Sequence, residues 1–431
     1  MIYENNWESL NSRPVPEWFA DAKFGIFIHF GLYSVPAYSN DENYSEWYMW
    51  QLLNDKKPAI VDFQRRVYGE NSRYEDFTSG FKCELFDPDK WAEIMQASGA
   101  RYMNITSKHH DGYCLWKSDY AWNWNSVDTG PHIDFLAELK KSLAKTDVRF
   151  GVYHSIYEWF HPLYLKNPEE FAIKHLHPMM KELITKYEPA TLFTDGEWVY
   201  PSTVWHSTEF LTWLYNESPV KDYIVPNDRW GSETRGRLGG NFTTEYGTVV
   251  DGRSINDVVL DRPFEECRGI GRSFGLNRME GVNNYLSAKE LIEMLCSLVS
   301  KGGNFLLNIG PAADGTIPVI MEERLRQIGK WLSVNGEAIY ATRVYTKNET
   351  PGIYYTKSKD GKKIYATLSK YPFGDVTFTE VPYSPALKAR LFANDAPIKV
   401  SDDNGRVRLS FPVINPDEMK CEYLYSIEIS E

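Results

Sequence analysis

Cysteine is scarce. Five thiols, Cys83, Cys114, Cys267, Cys296 and Cys421, stand in 431 residues, and no two form a Cys-x-x-Cys pair. An odd, unpatterned set argues against a disulfide framework or a zinc ribbon. No apolar run approaches the ~20 residues that a membrane-spanning helix needs, so no membrane partner is expected. Positive charge is in deficit, with 47 Lys and Arg against 59 Asp and Glu and a net charge of -12. Such a surface repels phosphate backbones, and nucleic acid is not expected as a partner. The opening Met-Ile-Tyr-Glu-Asn-Asn-Trp lacks the basic and apolar regions of a secretory leader. The expected location is therefore the cytoplasm, or the periplasm or exterior once a leader has been removed; five Asn-x-Ser/Thr sequons do not decide it. Internal repeats and low-complexity linkers are also missing. What the chain has is a folded-domain balance of 42% hydrophobic and 25% charged residues, together with 14 Trp, 28 Tyr and 22 Phe. Rings in that number supply core area first and stacking platforms second.

The first 340 residues alternate short apolar runs with longer helical patterns. Strands are predicted at Lys23–His29, Arg101–Thr106, Val148–Tyr153, Ala190–Thr194, Tyr223–Pro226 and Asn304–Asn308, with weaker candidates near Phe242 and Ile270. Helices are predicted at Trp91–Ser98, Asp134–Ala144, Glu169–Tyr187, Thr208–Tyr215, Ala288–Ser300 and Ile320–Val334. Alternation of this kind implies a parallel sheet with helices outside, and about eight strands imply a (β/α)8-like TIM barrel, irregular between Gly231 and Gly271. After Tyr340 the pattern becomes short alternating strands separated by Asp360-Gly361 and Asn404-Gly405, both hairpin-turn signals. The expected division is a barrel over residues 1–343 and a C-terminal β-sandwich over 344–431.

In a parallel barrel the working residues lie where strands end. The apolar runs of this chain end in polar groups: His29, then Lys108-His109-His110-Asp111, Tyr153-His154, Asp195-Gly196-Glu197, Asn227-Asp228-Arg229 and Asn308. Three histidines, Asp195 and Arg229 at such positions point to one shared pocket, although Asp195-Gly196 alone reads as an ordinary turn. Metal binding by His29, His109, His110 and Asp195 is one alternative, but His-x-His or His-x3-His spacing is missing among them. Neutral imidazoles hydrogen-bonding sugar hydroxyls need no such spacing. Glycosidic chemistry would need a second carboxylate, and Glu46, Glu197, Glu245 and the pair Glu265-Glu266 are all candidates between which residue chemistry does not choose. Trp47, Tyr48, Trp116, Trp198 and Phe274 near the same loops favour a carbohydrate pocket.

These segments resemble the α-L-fucosidases of glycoside hydrolase family 29. The resemblance runs through Lys23-Phe-Gly-Ile-Phe-Ile-His-Phe-Gly-Leu-Tyr-Ser-Val-Pro36, Ser45-Glu-Trp-Tyr48, Thr106-Ser-Lys-His-His-Asp-Gly112, Phe150-Gly-Val-Tyr-His-Ser155 and Phe193-Thr-Asp-Gly-Glu-Trp198. It continues through Asn227-Asp-Arg-Trp-Gly231, Ser273-Phe-Gly-Leu-Asn-Arg278 and Gly302-Gly-Asn-Phe-Leu-Leu-Asn-Ile-Gly-Pro311. The Tyr153 and Asp195 segments look most like the branch with relaxed specificity that includes animal lysosomal enzymes. The resemblance implies a retaining exo-α-L-fucosidase acting on fucosylated glycans or aryl fucosides, without a metal or other cofactor. It implies Asp195 as nucleophile, and His29, Glu46, Trp47, His109, His110, Tyr153, Arg229 and Phe274 as the residues that hold fucose. Glu245 is the implied acid/base, with Glu265 as the alternative. In such a double displacement the two carboxyls lie about 5–5.5 Å apart. The family often has Trp where this chain has Phe30 and Phe193. A homo-oligomer is neither required nor opposed by the sequence, and a non-catalytic fucose-binding protein is the other rival.

Overall fold

A computed structural model describes residues 2–40, 44–247, 262–348, 350–413 and 415–431. Eight parallel strands form the first sheet: β1 (Phe24–Ile28), β2 (Tyr102–Lys108), β3 (Arg149–Ser155), β4 (Thr191–Asp195), β5 (Val225–Pro226), β6 (Phe242–Glu245), β7 (Phe264–Gly269) and β8 (Asn304–Ile309). They are ordered β5-β4-β3-β2-β1-β8-β7-β6. The seam between β5 and β6 is closed by one parallel bridge, Asn227 to Asn241, which makes the sheet a TIM-like barrel. The irregularity expected between Gly231 and Gly271 is this shortened half, and the strand sought near Ile270 is β7.

The barrel interior is a ring-rich core of Phe19, Phe27, Tyr102, Tyr153, Phe193, Phe274 and Leu306. Its floor depends on Gly25, where an added Cβ would lie 2.5 Å from the Tyr102 ring. The bare position lets Tyr102 cross the floor and donate its hydroxyl to Glu265 Oε2. The expected helices are present, with Pro88–Ala97, Phe135–Leu143, Ser207–Asn216, Ala288–Ser300 and Val319–Asn335 outside the barrel. The helix read over 169–187 is three pieces: Pro168–Phe171, a π turn over Ala172–Leu176, and His177–Tyr187. Pro178 lacks the N–H that an α-helix would direct back at this point, and the π turn takes up the mismatch.

The C-terminal region is antiparallel throughout: β9 (Arg343–Val344), β10 (Ile353–Lys357), β11 (Lys363–Leu368), β12 (Asp375–Pro382), β13 (Lys388–Leu391), β14 (Pro397–Asp403), β15 (Arg406–Ser410) and β16 (Tyr425–Ser430). The order β12-β15-β14-β13-β16-β11-β10-β9 folds over at β14, which pairs with β13 through Pro397–Ile398 and with β15 through Lys399–Asp403. The two layers meet where Phe378 packs against Tyr355. Asn404 and Gly405 form the two-residue β14–β15 turn with φ of 54° and 81°, the conformation such hairpins require. This sheet packs on the outer helices of the barrel: Trp331 Nε1 donates to Leu424 O at 2.8 Å, and Tyr354 donates to Glu293 at 3.0 Å.

Candidate active site

The barrel strands deliver their last residues to one rim. β4 ends on Asp195, whose side chain is 14% exposed and reached from three directions. Tyr153, in β3, donates its hydroxyl to Oδ2 at 3.0 Å; Arg229 Nη1 donates to Oδ1 at 2.6 Å; His110 Nε2 lies 3.6 Å from Oδ2. Burial pushes this carboxyl up, but Arg229 and the Tyr153 hydroxyl outweigh it and hold the pKa below the usual carboxylate value. Asp195 is therefore an ionised carboxylate at the top of an apolar strand.

Arg229, on the loop after β5, is itself 2% exposed and lies over the Phe193 ring at 4.8 Å. Its Nε donates to Thr243 Oγ1 at 3.1 Å, which sets the plane of the guanidinium. The fork then reaches Asp195 with one arm and Glu245 Oε2 with the other, at 3.2 Å. Glu245 ends β6 with its side chain 24% exposed, and its Oε1 accepts from Tyr44 at 3.4 Å. One buried cation thus bridges the two carboxyl groups, Asp195 the less exposed and Glu245 the more exposed.

The histidines are neutral because burial lowers all three, His29 to about 3, His110 to about 4 and His109 well below the usual imidazole value. Their hydrogen bonds fix two tautomers. Asn308 uses its amide N to donate to Phe274 O at 2.6 Å, so its Oδ1 accepts from His29 Nδ1 at 2.7 Å. Ser155 donates to Tyr157 O at 2.5 Å, so its oxygen accepts from His110 Nδ1, also at 2.5 Å. Each ring consequently keeps its Nε2 lone pair, and at His110 that lone pair faces Asp195 across a gap too long for a hydrogen bond. A ligand hydroxyl in the cavity would donate into the His29 position. Glu46 supplies the complementary chemistry. Its Oε2 accepts from the Gly275 N–H at 2.8 Å and the Ser273 hydroxyl at 3.3 Å, and burial pushes its pKa up to about 8. Near pH 7 it carries a proton and can donate.

A cavity of 110 Å³ joins these groups. His29, Glu46, Trp47, His109, Tyr153, Asp195, Arg229, Glu245 and Phe274 line it, and His110 supports Asp195 from behind. Trp198 also lines it, stacked on Trp47 with centroids 6.2 Å apart and 41% exposed at the mouth. Other candidates lie elsewhere. Glu265 pairs in register with Thr243, whereas Glu245 pairs with Cys267, so Glu265 sits two residues lower, about 6–7 Å toward the floor. Burial raises its carboxyl to about 7, and it is occupied by Tyr102. Glu266 accepts from Thr244 and from the Gly247 N–H outside the cavity. Glu197 is buried beside it without lining it, and Trp116 and Tyr48 are core. Phe30 packs on Phe81 and Trp91 outside the barrel, whereas Phe193 lines the cavity beneath Arg229. Sequence reasoning passed over Tyr44, Arg235 and Cys267 as cavity residues. Strand alternation contained the signal for Cys267, since it shares the inward parity of Glu265.

Among the described residues, the metal-type donors that gather within 4.8 Å are Glu158, His161 and His175, not His29, His109, His110 and Asp195. Even there Lys108 Nζ already occupies Glu158 Oε2 at 2.9 Å, and His161 Nδ1 accepts the Leu163 N–H, which leaves its Nε2 protonated. Neither set of donors fits a resident cation.

The α-L-fucosidase family model matches residues 1–337, and the α-L-fucosidase C-terminal domain model matches residues 346–430. The chain belongs to the α-L-fucosidase family. Among curated family members, the plasma α-L-fucosidase of Rattus norvegicus is 40% identical over 444 residues, covering 100% of this chain and 94% of that protein. The α-L-fucosidase of Dictyostelium discoideum is 44% identical over 392 residues, covering 88% and 83%. The Thermotoga maritima α-fucosidase solved in complex with fucose is 32% identical, with a TM-score of 0.83 over 99% of this chain and 100% of that one. The fold expected from the sequence, barrel followed by antiparallel strands, is that of this family.

Proposed function

We propose that this chain is a retaining exo-α-L-fucosidase that releases terminal α-L-fucose from fucosylated glycans and from aryl fucosides. The observation that carries the proposal is the Arg229 fork, which holds Asp195 and Glu245 together in a cavity lined for the most part by neutral imidazoles and rings. An ionised carboxylate and a second, more exposed one are the pair that a double displacement uses. Asp195 Oδ attacks the anomeric carbon while Glu245 gives its proton to the departing glycosidic oxygen. The carbon–oxygen bond to the aglycone breaks as the bond to Asp195 forms, with inversion. Glu245, now ionised, takes a proton from water, whose oxygen attacks the same carbon and frees Asp195 with a second inversion. Two inversions restore the α configuration.

The cavity walls suit the sugar ring. The Nε2 atom of His29 accepts from a hydroxyl, protonated Glu46 donates, and Phe274 with Phe27 provides apolar surface for the methyl group. Arg229 keeps Asp195 ionised before attack. We assign the catalytic region to residues 1–343 and the C-terminal sheet, a brace against the outer helices, to 344–431.

Proton NMR of wild-type turnover tests the reaction course. The first fucose released from 4-nitrophenyl α-L-fucoside should be the α anomer, converting to the β form only by mutarotation. Initial β-fucose would mean a single inversion and would remove Asp195 as nucleophile. Binding without turnover of aryl and oligosaccharide fucosides alike would leave a fucose-binding protein.

A further inference from the structure

The barrel is shortest where Asp195 and Glu245 face each other. β5 has only Val225 and Pro226, so β4 and β6 both extend beyond it toward the rim. The side chains of one dipeptide take up the main-chain groups left there. Asn227 Oδ1 accepts the Thr194 N–H at 3.2 Å and the Thr194 hydroxyl at 2.7 Å, while its Nδ2 donates to Thr194 O at 2.8 Å. The carboxamide stands in for a peptide unit of a longer β5, one residue before Asp195. Asp228 serves β6 in the same way. Both its oxygens accept the Thr243 N–H at 3.2 Å, Oδ1 accepts the Thr243 hydroxyl at 2.7 Å, and Oδ2 accepts the Gly236 N–H at 2.7 Å. Asn227, Asp228, Thr194 and Thr243 are all buried.

The Thr243 hydroxyl links this carboxylate to the Arg229 fork. Its proton goes to Asp228, so its oxygen meets Arg229 Nε only as an acceptor, at 3.1 Å. A hydroxyl that donates to a carboxylate is also the stronger acceptor. Arg229 lies over the Phe193 ring at 4.8 Å, which limits tilting of the guanidinium, and the Nε bond limits its rotation. Held in both senses, Nη1 reaches Asp195 at 2.6 Å and Nη2 reaches Glu245 at 3.2 Å. Without the Thr243 bond the fork can swing, and Asp195 loses part of the charge that keeps it ionised.

We propose that Asp228 is a positioning residue for the reaction: through the Thr243 hydroxyl it aims Arg229, and so sets where Asp195 and Glu245 stand. The inference rests on the double-displacement roles given to those two carboxyls. Asp228 does not line the cavity and acts by preorganising groups that do.

The test follows hydrolysis of 4-nitrophenyl α-L-fucoside against pH in the full-length wild type, Thr243→Val, Thr243→Ser and Asp228→Asn. Valine keeps the shape of Thr243, its main-chain bond and every titratable group, and removes only the hydroxyl. It should lower kcat about 10- to 100-fold with KM within about threefold. Burial raises the Asp195 carboxyl and Arg229 leads the groups that lower it, so the acid limb of kcat/KM should move up by about one pH unit. Tyr153, His29, His110, Glu197, Glu245 and Cys267, the other titratable groups around Asp195 and Arg229, are unchanged in these variants. Thr243→Ser restores the hydroxyl and should stay within about threefold of wild type. Asp228→Asn should repeat the valine effects, because an amide has one oxygen for the Thr243 and Gly236 donors.

A wild-type acid limb in Thr243→Val or Asp228→Asn overturns the proposal, and so does a loss of kcat that Thr243→Ser shares. If Asp228→Asn does not fold, Thr243→Val decides by the same two readouts. A wild type that cleaves no fucoside would remove the fucosidase reading instead. Carbon NMR titration of the Asp195 carboxyl then tests the aim of Arg229 by itself: a higher midpoint in Thr243→Val is expected, and an unchanged one overturns it.

Discussion

Asp195 and Glu245 come from two halves of the barrel that are built differently. β1 to β4 are five to seven residues long and paired edge to edge, whereas β5 has two residues, β6 has four, and a single bridge joins them. On the regular side Asp195 has three side chains aimed at it and stands level with Ser155, its partner in the register of β3 and β4. On the irregular side Glu245 takes longer contacts from Arg229 and Tyr44 and is the more exposed of the two, and Tyr246 after it takes a φ of 48°. The difference matches the chemistry. A nucleophile attacks one carbon along one line and gains from being fixed before the substrate arrives. An acid/base must exchange its proton with water in every cycle, and exposure serves that exchange.

The largest expected effect comes from the fixed side. Asp195→Ala should lower kcat on 4-nitrophenyl fucoside by about 10⁴-fold or more while leaving the unfolding temperature near wild type. A loss of only tenfold would show that the tightly held carboxylate is not the nucleophile. Next, Glu245→Ala should cost about 10²–10⁴-fold on an oligosaccharide, whose leaving group needs a proton, and much less in the first step with nitrophenol, which does not. Equal losses on both substrates, read from pre-steady-state bursts, would contradict the acid role.

Glu46→Gln separates stability from function at the same rim. The folded Glu46 carboxyl titrates near 8 instead of 4.5, so between those values the native chain binds a proton that the unfolded chain has lost. The group contributes nothing unfavourable below pH 4.5, subtracts stability as pH rises through the window, and levels off above 8. Glutamine can still accept from Gly275 and Ser273, so the variant should be less active but more stable near pH 7, by up to about 3 kcal/mol, with the gain vanishing at pH 4.5. Thermal unfolding at several pH values checks this, and a pH-independent difference would count against a buried neutral Glu46. The smallest effect belongs to the barrel floor. Glu265→Gln, below the cavity and bonded to Tyr102, should change kcat/KM by less than about threefold; a hundredfold loss would return it to candidacy as the acid.

The same contrast explains what could be read from the sequence. Strands β1 to β4 and β8 are fully or almost fully buried and read as apolar runs, so their polar ends, His29, His109, Tyr153, Asp195 and Asn308, were visible as strand ends. β6 and β7 carry Thr-Thr-Glu and Glu-Glu-Cys-Arg, polar enough to hide a strand, because the barrel interior at their level is a bonded network and not an apolar core. Choosing between Glu245 and Glu265 required the register that places one at the rim and the other near the floor, and register between strands separated in sequence by residues 246–263 is not local information. In the C-terminal region the hairpin turns stood out, but β13 and β14 did not. β14 changes partners midway, so its two halves obey different facing patterns.

The central claim is that Asp195 and Glu245 divide the nucleophile and acid/base roles, and azide tests it most directly. Supplied to Glu245→Ala with 4-nitrophenyl fucoside, azide should accelerate turnover by attacking the fucosyl–Asp195 ester from the face that Glu245 vacated, giving α-fucosyl azide. Supplied to Asp195→Gly, it should replace the missing carboxylate and give β-fucosyl azide. Opposite anomers from the two variants are the predicted result. The same anomer from both, or azide rescue of Glu265→Ala in place of Glu245→Ala, would contradict the assignment.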